Sequence, residues 1–296
     1  MATTLLAILI VVAASLALPD LYHLRDFSWL RAWVRRWPGV ADVDRRHAWP
    51  LILLPALLVV ACALVQLGLD RILFGLPGFA FAVVVLFWCW GPRDLDADMD
   101  AVLKAPDGER RRAAVQALRP DPAIAPLPFE APAMVEASFA SALSRWFGVL
   151  FWFVLLGPAG ALGYRLVQLV ARHASIAEEL DPAERRQLDT VARVLDWVPA
   201  HLVALTLALV SEFDAVIRTW RAWHAEHPGG WFSLDLGFLG ALARAGVDAD
   251  VEGGDGYASE TGHPLLELAD ARAVLRRILV AWLAVLALVV VSGLAH

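Results

Sequence analysis

Six apolar runs separated by polar segments dominate the chain: Thr3–Leu18, Trp49–Leu67, Ile72–Gly91, Trp146–Val170, Leu195–Val210 and Ile278–Leu294. A helix needs about 20 apolar residues, or about 17 at the short end, to cross a hydrocarbon core. The second, third and fourth runs meet that length, and the first and last sit at the short end. The fifth is the weakest, bounded by Asp196 and Glu212 and carrying Pro199 near its start. This pattern predicts an all-α polytopic membrane bundle of about six hydrophobic helices, with short amphipathic helices in the loops. The whole of residues 1–296 reads as one integral membrane domain. No basic residue precedes the first run, so it reads as a retained span rather than a secretory signal.

The intervening segments carry their own patterns. Leu24, Phe27, Leu30 and Val34 recur at helical spacing among Arg25, Arg31, Arg35 and Arg36, which predicts a basic amphipathic helix at the inner headgroups within residues 20–48. Residues 93–118 predict one or two short helices, with Asp94, Asp96, Asp98 and Asp100 crowded where negative charge suits a helix N-terminus. Pro120–Pro132 is a proline-stiffened linker, after which a helix starts near Ala133 and runs through Glu136 into the fourth run. Residues 171–193 predict a helical hairpin restarted at Asp181-Pro182. Ala222–Gly230 and Gly246–Pro264 read as turn-rich. Within the latter, Asp248, Asp250, Glu252 and Gly253 look like the start of a calcium loop, but Ser259 stands where a closing Glu is needed, so the stretch reads as a solvated loop.

Composition agrees with lipid as the chain's main environment: 59% hydrophobic and 19% charged residues, with a net charge of -6 that does not suggest nucleic acid as a partner. Charge also orients the chain. With the N-terminus outside and six crossings, the inner loops 19–48, 92–145 and 211–277 hold 19 of the 25 Lys and Arg, and the outer segments hold 5. Residues 92–145 and 211–277 are then cytoplasmic loops. If the fifth run only dips into the membrane, residues 211–277 face outward and the asymmetry weakens. Trp29, Trp33, Trp37, Trp49, Trp88, Trp90, Trp146 and Trp197 cluster near run ends, as interfacial rings do, although some can be core aromatics.

Little in the chain points to familiar chemistry. Cys62 and Cys89 lie in apolar runs and read as reduced packing residues. His224 and His227 have no evident third ligand, so no metal is expected. There is no phosphate-binding glycine motif, and no cofactor is expected. Gly157, Pro158 and Gly160 sit within a span, where they suit a kink or a close helix contact that could serve a homo-oligomer.

The informative residues are polar groups at membrane depth, which are expensive and face a partner, a cavity or a ligand. Tyr164 and Arg165 lie near one end of the fourth run; Arg165 either snorkels to the headgroups or contacts a ligand inside the bundle. Asp196 either caps the fifth helix or pairs with Arg165. His201 lies inside the apolar part of the fifth run. The candidate ligand-binding set is Glu136, Trp152, Tyr164, Arg165, Asp196, Trp197 and His201, with no catalytic or metal-binding residue assigned.

Leu150-Phe151-Trp152, Gly157-Pro158, Ala161-Leu162, Tyr164-Arg165 and Asp196-Trp197-Val198-Pro199 resemble the AmpE family. The resemblance is specific over about Glu136–Val210 and a matter of pattern elsewhere. It implies a bacterial inner-membrane protein, a signalling modulator of β-lactamase induction. Its ligand would be small, anionic or related to the cell wall.

AmpE is in turn similar to CobD/CbiB, a membrane synthase of cobalamin biosynthesis. Glu136 matches the acid that opens that family's polar motif. Ala140, Ser141, Ala142 and Ser144 stand where the synthase has Glu, Asn, Thr and Asp. Gln168, Leu169, Val170 and Ala171 replace its Asn-Thr-Leu-Asp, Ala192 and Arg193 replace paired Asp residues, and His201 replaces an Arg. An ATP-dependent ligation needs such oxygens to hold metal and phosphates. The departures imply a regulator; a CobD-like enzyme acting on a corrinoid or other carboxylate, and a pure scaffold, are the alternatives.

Overall fold

A computed structural model describes residues 2–17, 25, 29–30, 32, 49–70, 75–91, 94–119, 126–172, 182–254, 256–258 and 261–292. Most of the expected helix over 20–48, the linker residues 120–125, the hairpin tip 173–181, Trp33, Trp37 and Ser259 lie outside these residues. The described residues are mostly helical, with no strand among them. In chain order the helices are α1 (Ala2–Ala17), α2 (Trp49–Leu69), α3 (Leu76–Cys89), α4 (Leu95–Lys104), α5 (Gly108–Val115) and α6 (Ala131–Ala142). They continue with α7 (Gly148–Arg172), α8 (Pro182–Val210), α9 (Phe213–Glu226), α10 (Gly237–Glu252) and α11 (Pro264–Val291).

Each of the six apolar runs is helical over most of its described residues. Among the described residues, three helical stretches are long and apolar enough to cross a membrane: Ala131–Arg172, Pro182–Val210 and Pro264–Val291. Ala2–Ser15, Pro55–Leu69 and Leu76–Cys89 are shorter apolar helices. The chain divides into two compact units, one of Met1–Asp94, Gly148–Leu195 and Leu286–His296, the other of Leu95–Phe147 and Asp196–Val285.

In the first unit, α1 packs on α3, and α2 and α3 both pack on α7. Leu166, Leu169, Val170 and Ala171 of α7 bury with Leu30 and with Leu188 and Ala192 of α8. The backbone of α7 breaks at Gly157, whose φ of 68° and ψ of -157° lie outside any helix. Pro158 follows, and its missing N–H withdraws one rung from the helical ladder. The kink foreseen from Gly157 and Pro158 is therefore present. It folds the two halves of α7 so closely that a Cβ on Gly160 would sit 2.3 Å from the Trp152 carbonyl oxygen.

In the second unit, α4 packs on α5 and α6, while α10 packs on both α6 and α9. A π-helical turn, Leu143–Phe147, follows α6. Asp96 and Asp98 of α4 are buried, and Asp100 is partly so. Asp96 accepts from the guanidinium groups of Arg272 and Arg276 on α11, at 2.6–2.9 Å. Asp98 pairs with Arg145 at 2.7 Å, and Asp100 with Lys104 at 2.7 Å and Arg272 at 3.0 Å. Burial opposes ionisation of Asp96, but the hydrogen bonds and charge of the two arginines outweigh it and hold its carboxyl below the usual range.

Three boundaries differ from the sequence expectation. Asp196 does not cap a helix: α8 starts at Pro182 and runs through it, because Leu188 and Ala192 already give the preceding turns a buried face. Residues 222–226 belong to α9, whose inner face is held by buried Val216, Trp220 and His224. Residues 246–252 belong to α10, so Asp248, Asp250 and Glu252 are helical and no calcium-type loop forms there. Asp250 instead accepts from Ser211 at 3.1 Å and from Arg277 at 3.0 Å.

Candidate functional site

The residues singled out from the sequence fall in both units. Trp152, Tyr164 and Arg165 belong to the first; Glu136, Asp196, Trp197 and His201 belong to the second.

In the first unit, α3 ends at Cys89, and its last carbonyls need donors from outside the helix. Arg165 Nε donates to the Cys89 carbonyl at 2.7 Å, and Arg25 Nη1 donates to the Gly91 carbonyl at 3.4 Å. Two guanidinium groups thus meet the negative end of one helix. Arg25 also donates to Ser15 Oγ at 3.1 Å and lies 4.2 Å over the Phe87 ring. Arg165 is only 3% exposed, so its charge stays inside the protein and does not snorkel to headgroups. Beside it, Tyr164 is seated by the absence of a side chain at Gly148, where a Cβ would approach the phenol oxygen to 2.1 Å. Trp152 Nε1 donates to the Leu195 carbonyl at 3.1 Å.

In the second unit, Glu136 lies against Gly240 and pairs with Arg244 at 2.8 Å, with both side chains about half exposed. Ser141 and Ser144, at synthase-like positions, and Ser138 beside them are buried and turned to backbone. Ser138 Oγ donates to Met134 O at 2.7 Å, Ser141 Oγ to Leu118 O at 2.6 Å and Ser144 Oγ to Ser141 O at 3.1 Å. Asp196 is fully buried in the middle of α8.

One turn further along α8, Trp197 and His201 enter an aromatic cluster with α9, α10 and the Gly230–Phe232 turn. His201 lies 4.4 Å from Trp197, 4.8 Å from Phe238, 6.0 Å from Trp220 and 6.1 Å from His224, between ring centroids. Each histidine of the cluster is locked the same way. Nδ1 of His201, His224 and His227 meets the carbonyl four residues earlier at 2.7, 2.9 and 2.8 Å. A carbonyl only accepts, so Nδ1 carries the proton and Nε2 of the neutral ring is left as an acceptor. No group of three or more His, Cys, Asp or Glu among the described residues is arranged to hold a metal ion.

Sequence reasoning found Trp197 and His201 but missed Trp220, His224, Trp231 and Phe238. A signal was present: Trp220, Trp223, His224 and His227 recur at the three-and-four spacing of one helix face. Three of these four rings lie in Ala222–Gly230, which the sequence alone presents as turn-rich.

Taken together, the long apolar helices and the buried charges inside them define an all-α, multi-helix membrane protein. Residues 4–234 match the family described as regulatory signalling modulator protein AmpE, and the chain belongs to that family. It is also similar to two cobalamin biosynthesis proteins CobD. The match to that of Stutzerimonas stutzeri is 28% identical over 239 residues, 73% of each chain. The match to that of Chromobacterium violaceum is 27% identical over 125 residues, 42% of this chain, and spans only 39% of that relative's length. No solved structure matches.

Proposed function

We propose that the chain is a regulatory protein of the bacterial inner membrane, acting in β-lactamase induction by binding a small ligand or partner rather than by catalysis. The observation that carries this is the fate of the synthase-like polar stretch. Ser138, Ser141 and Ser144 all donate to backbone carbonyls, and Glu136 is paired with Arg244. Those groups serve the fold and leave few oxygens for a metal–phosphate complex. The family's description supports the regulatory part of the reading. The ligand-binding assignment rests on polar groups kept at membrane depth, with Trp197 and His201 in the aromatic cluster.

The test is deletion of the gene in a strain with inducible β-lactamase, followed by return of the wild-type copy. Deletion should shift the induction curve and the returned copy should restore it. An unchanged curve in the deletion strain overturns the reading.

The similarity over 73% of a CobD protein keeps one rival in view, an enzyme acting on a corrinoid or another carboxylate with Glu136 and Arg165 binding substrate. ATP turnover by the purified chain with such an acceptor would establish it, and none across a panel of carboxylates and amines would retire it.

A further inference from the structure

Two polar atoms in the aromatic cluster are buried with no hydrogen-bond partner among the described residues: His201 Nε2 and Trp220 Nε1. Their rings are neighbours, 6.0 Å apart between centroids. Their chemistry is opposite. An indole N–H can only donate, and His201 Nε2 accepts because Nδ1 holds the proton against the Trp197 carbonyl. Buried polar atoms are ordinarily paired, and leaving a donor and an acceptor unpaired in neighbouring rings is costly.

We infer that Trp220 and His201 form a binding site for a neutral ligand carrying a secondary amide beside a flat ring or apolar face. The amide oxygen accepts from Trp220 Nε1–H, and the amide N–H donates to His201 Nε2. The surrounding rings are aromatic or imidazole, which favours a neutral, flat partner over an ion.

A cover is built over the site. The turn at Gly229 and Gly230 has φ of 89° and 53°, a left-handed pair that glycine adopts freely. It delivers Trp231 against Trp220 at 5.5 Å and onto His224 at 4.2 Å, and stacks Phe232 on Trp197 at 6.4 Å. Phe232 remains 84% exposed, so it can swing away with little loss of buried surface. Movement of this turn uncovers both Trp220 and Trp197.

This inference deepens the regulatory reading and rests on its premise that the chain binds a small molecule. The experiment uses the purified full chain in detergent with two probes of one shape. Acetanilide carries the amide N–H; phenyl acetate replaces it with an ester oxygen. Acetanilide should bind about tenfold more tightly, the effect of one satisfied buried hydrogen bond. His201→Phe should abolish that preference, Trp220→Phe should weaken both probes, and Phe232→Ala should speed association while keeping the preference. Equal affinity of the wild-type chain for the two probes, affinity for neither, or a preference that survives His201→Phe overturns the site. These outcomes are read apart from the deletion phenotype, so the site and the regulatory role fail separately.

Discussion

Asp96→Asn isolates the polar heart of the second unit. The Asp96 carboxylate takes two bidentate forks, Nε and Nη2 of Arg272 at 2.8 and 2.6 Å and the same atoms of Arg276 at 2.9 and 2.8 Å. Its side chain is 12% exposed, that of Arg272 18%, and that of Arg276 52%. Removing one member of a buried pair costs about 3–5 kcal/mol because the other is left uncompensated. Half-exposed Arg276 recovers part of that by hydration, which brings the loss to about 2–3 kcal/mol. Asn keeps the size but turns an NH₂ toward guanidinium donors. The assay is thermal unfolding in detergent, where the variant should melt roughly 5–10 °C lower. A double-mutant cycle sharpens it. Coupling of Asp96 to Arg272 should exceed coupling to Arg276, since only the first pair is mostly buried. The pH dependence follows from the sign. Asp96 titrates below its ordinary value of about 3.9, so its contribution is complete above that pH and lost as pH falls through the lower folded value. The gap between wild type and variant should therefore narrow below about pH 4. A melting shift under about 2 °C, equal couplings, or a gap that widens in acid would refute the reasoning.

Two further substitutions probe the first unit. Gly157→Ala should destabilise by about 1–3 kcal/mol, because φ 68° with ψ -157° is a glycine conformation; equal chemical-denaturation midpoints for variant and wild type would count against the break. Gly148→Ala should displace the Tyr164 ring, whose phenol oxygen and two ring carbons would lie 2.1–2.7 Å from the new Cβ, and cost about 1–3 kcal/mol by overpacking, and Gly148→Ala combined with Tyr164→Leu should recover part of it. No recovery in the double variant would mean that the Tyr164 ring is not the obstacle.

The helices were legible in the sequence because their signal is repeated many times over. Each apolar run offers more than a dozen residues that agree. Single polar residues inside long helices were not legible. Asp196 looks like a helix start from its neighbours alone, and its place in mid-helix is decided by packing at Leu188 and Ala192. The acids of α4 read as charge suited to a helix N-terminus, and their ion-pair partners were not legible because Arg272 and Arg276 lie some 176 and 180 residues from Asp96, beyond any local pattern. Arg165 was recognised as unusual, but its acceptor is a backbone carbonyl, at Cys89, and carbonyls leave no mark in a sequence. Trp197 and His201 were found; the rings that complete their surroundings come from a face whose periodicity was overlooked.

The break in α7 also bears on the order of assembly. A backbone interrupted at Gly157 presents amide and carbonyl groups that hydrocarbon cannot solvate. The side-chain amide of Gln66, on α2, lies 3.2 Å from where a Cβ on Gly157 would be. Ribosomes deliver α2 first, so this polar companion has been made when the later segment emerges. The interruption can then be tolerated from the moment of insertion, and transplanting α7 into a host lacking that companion should leave it unable to integrate.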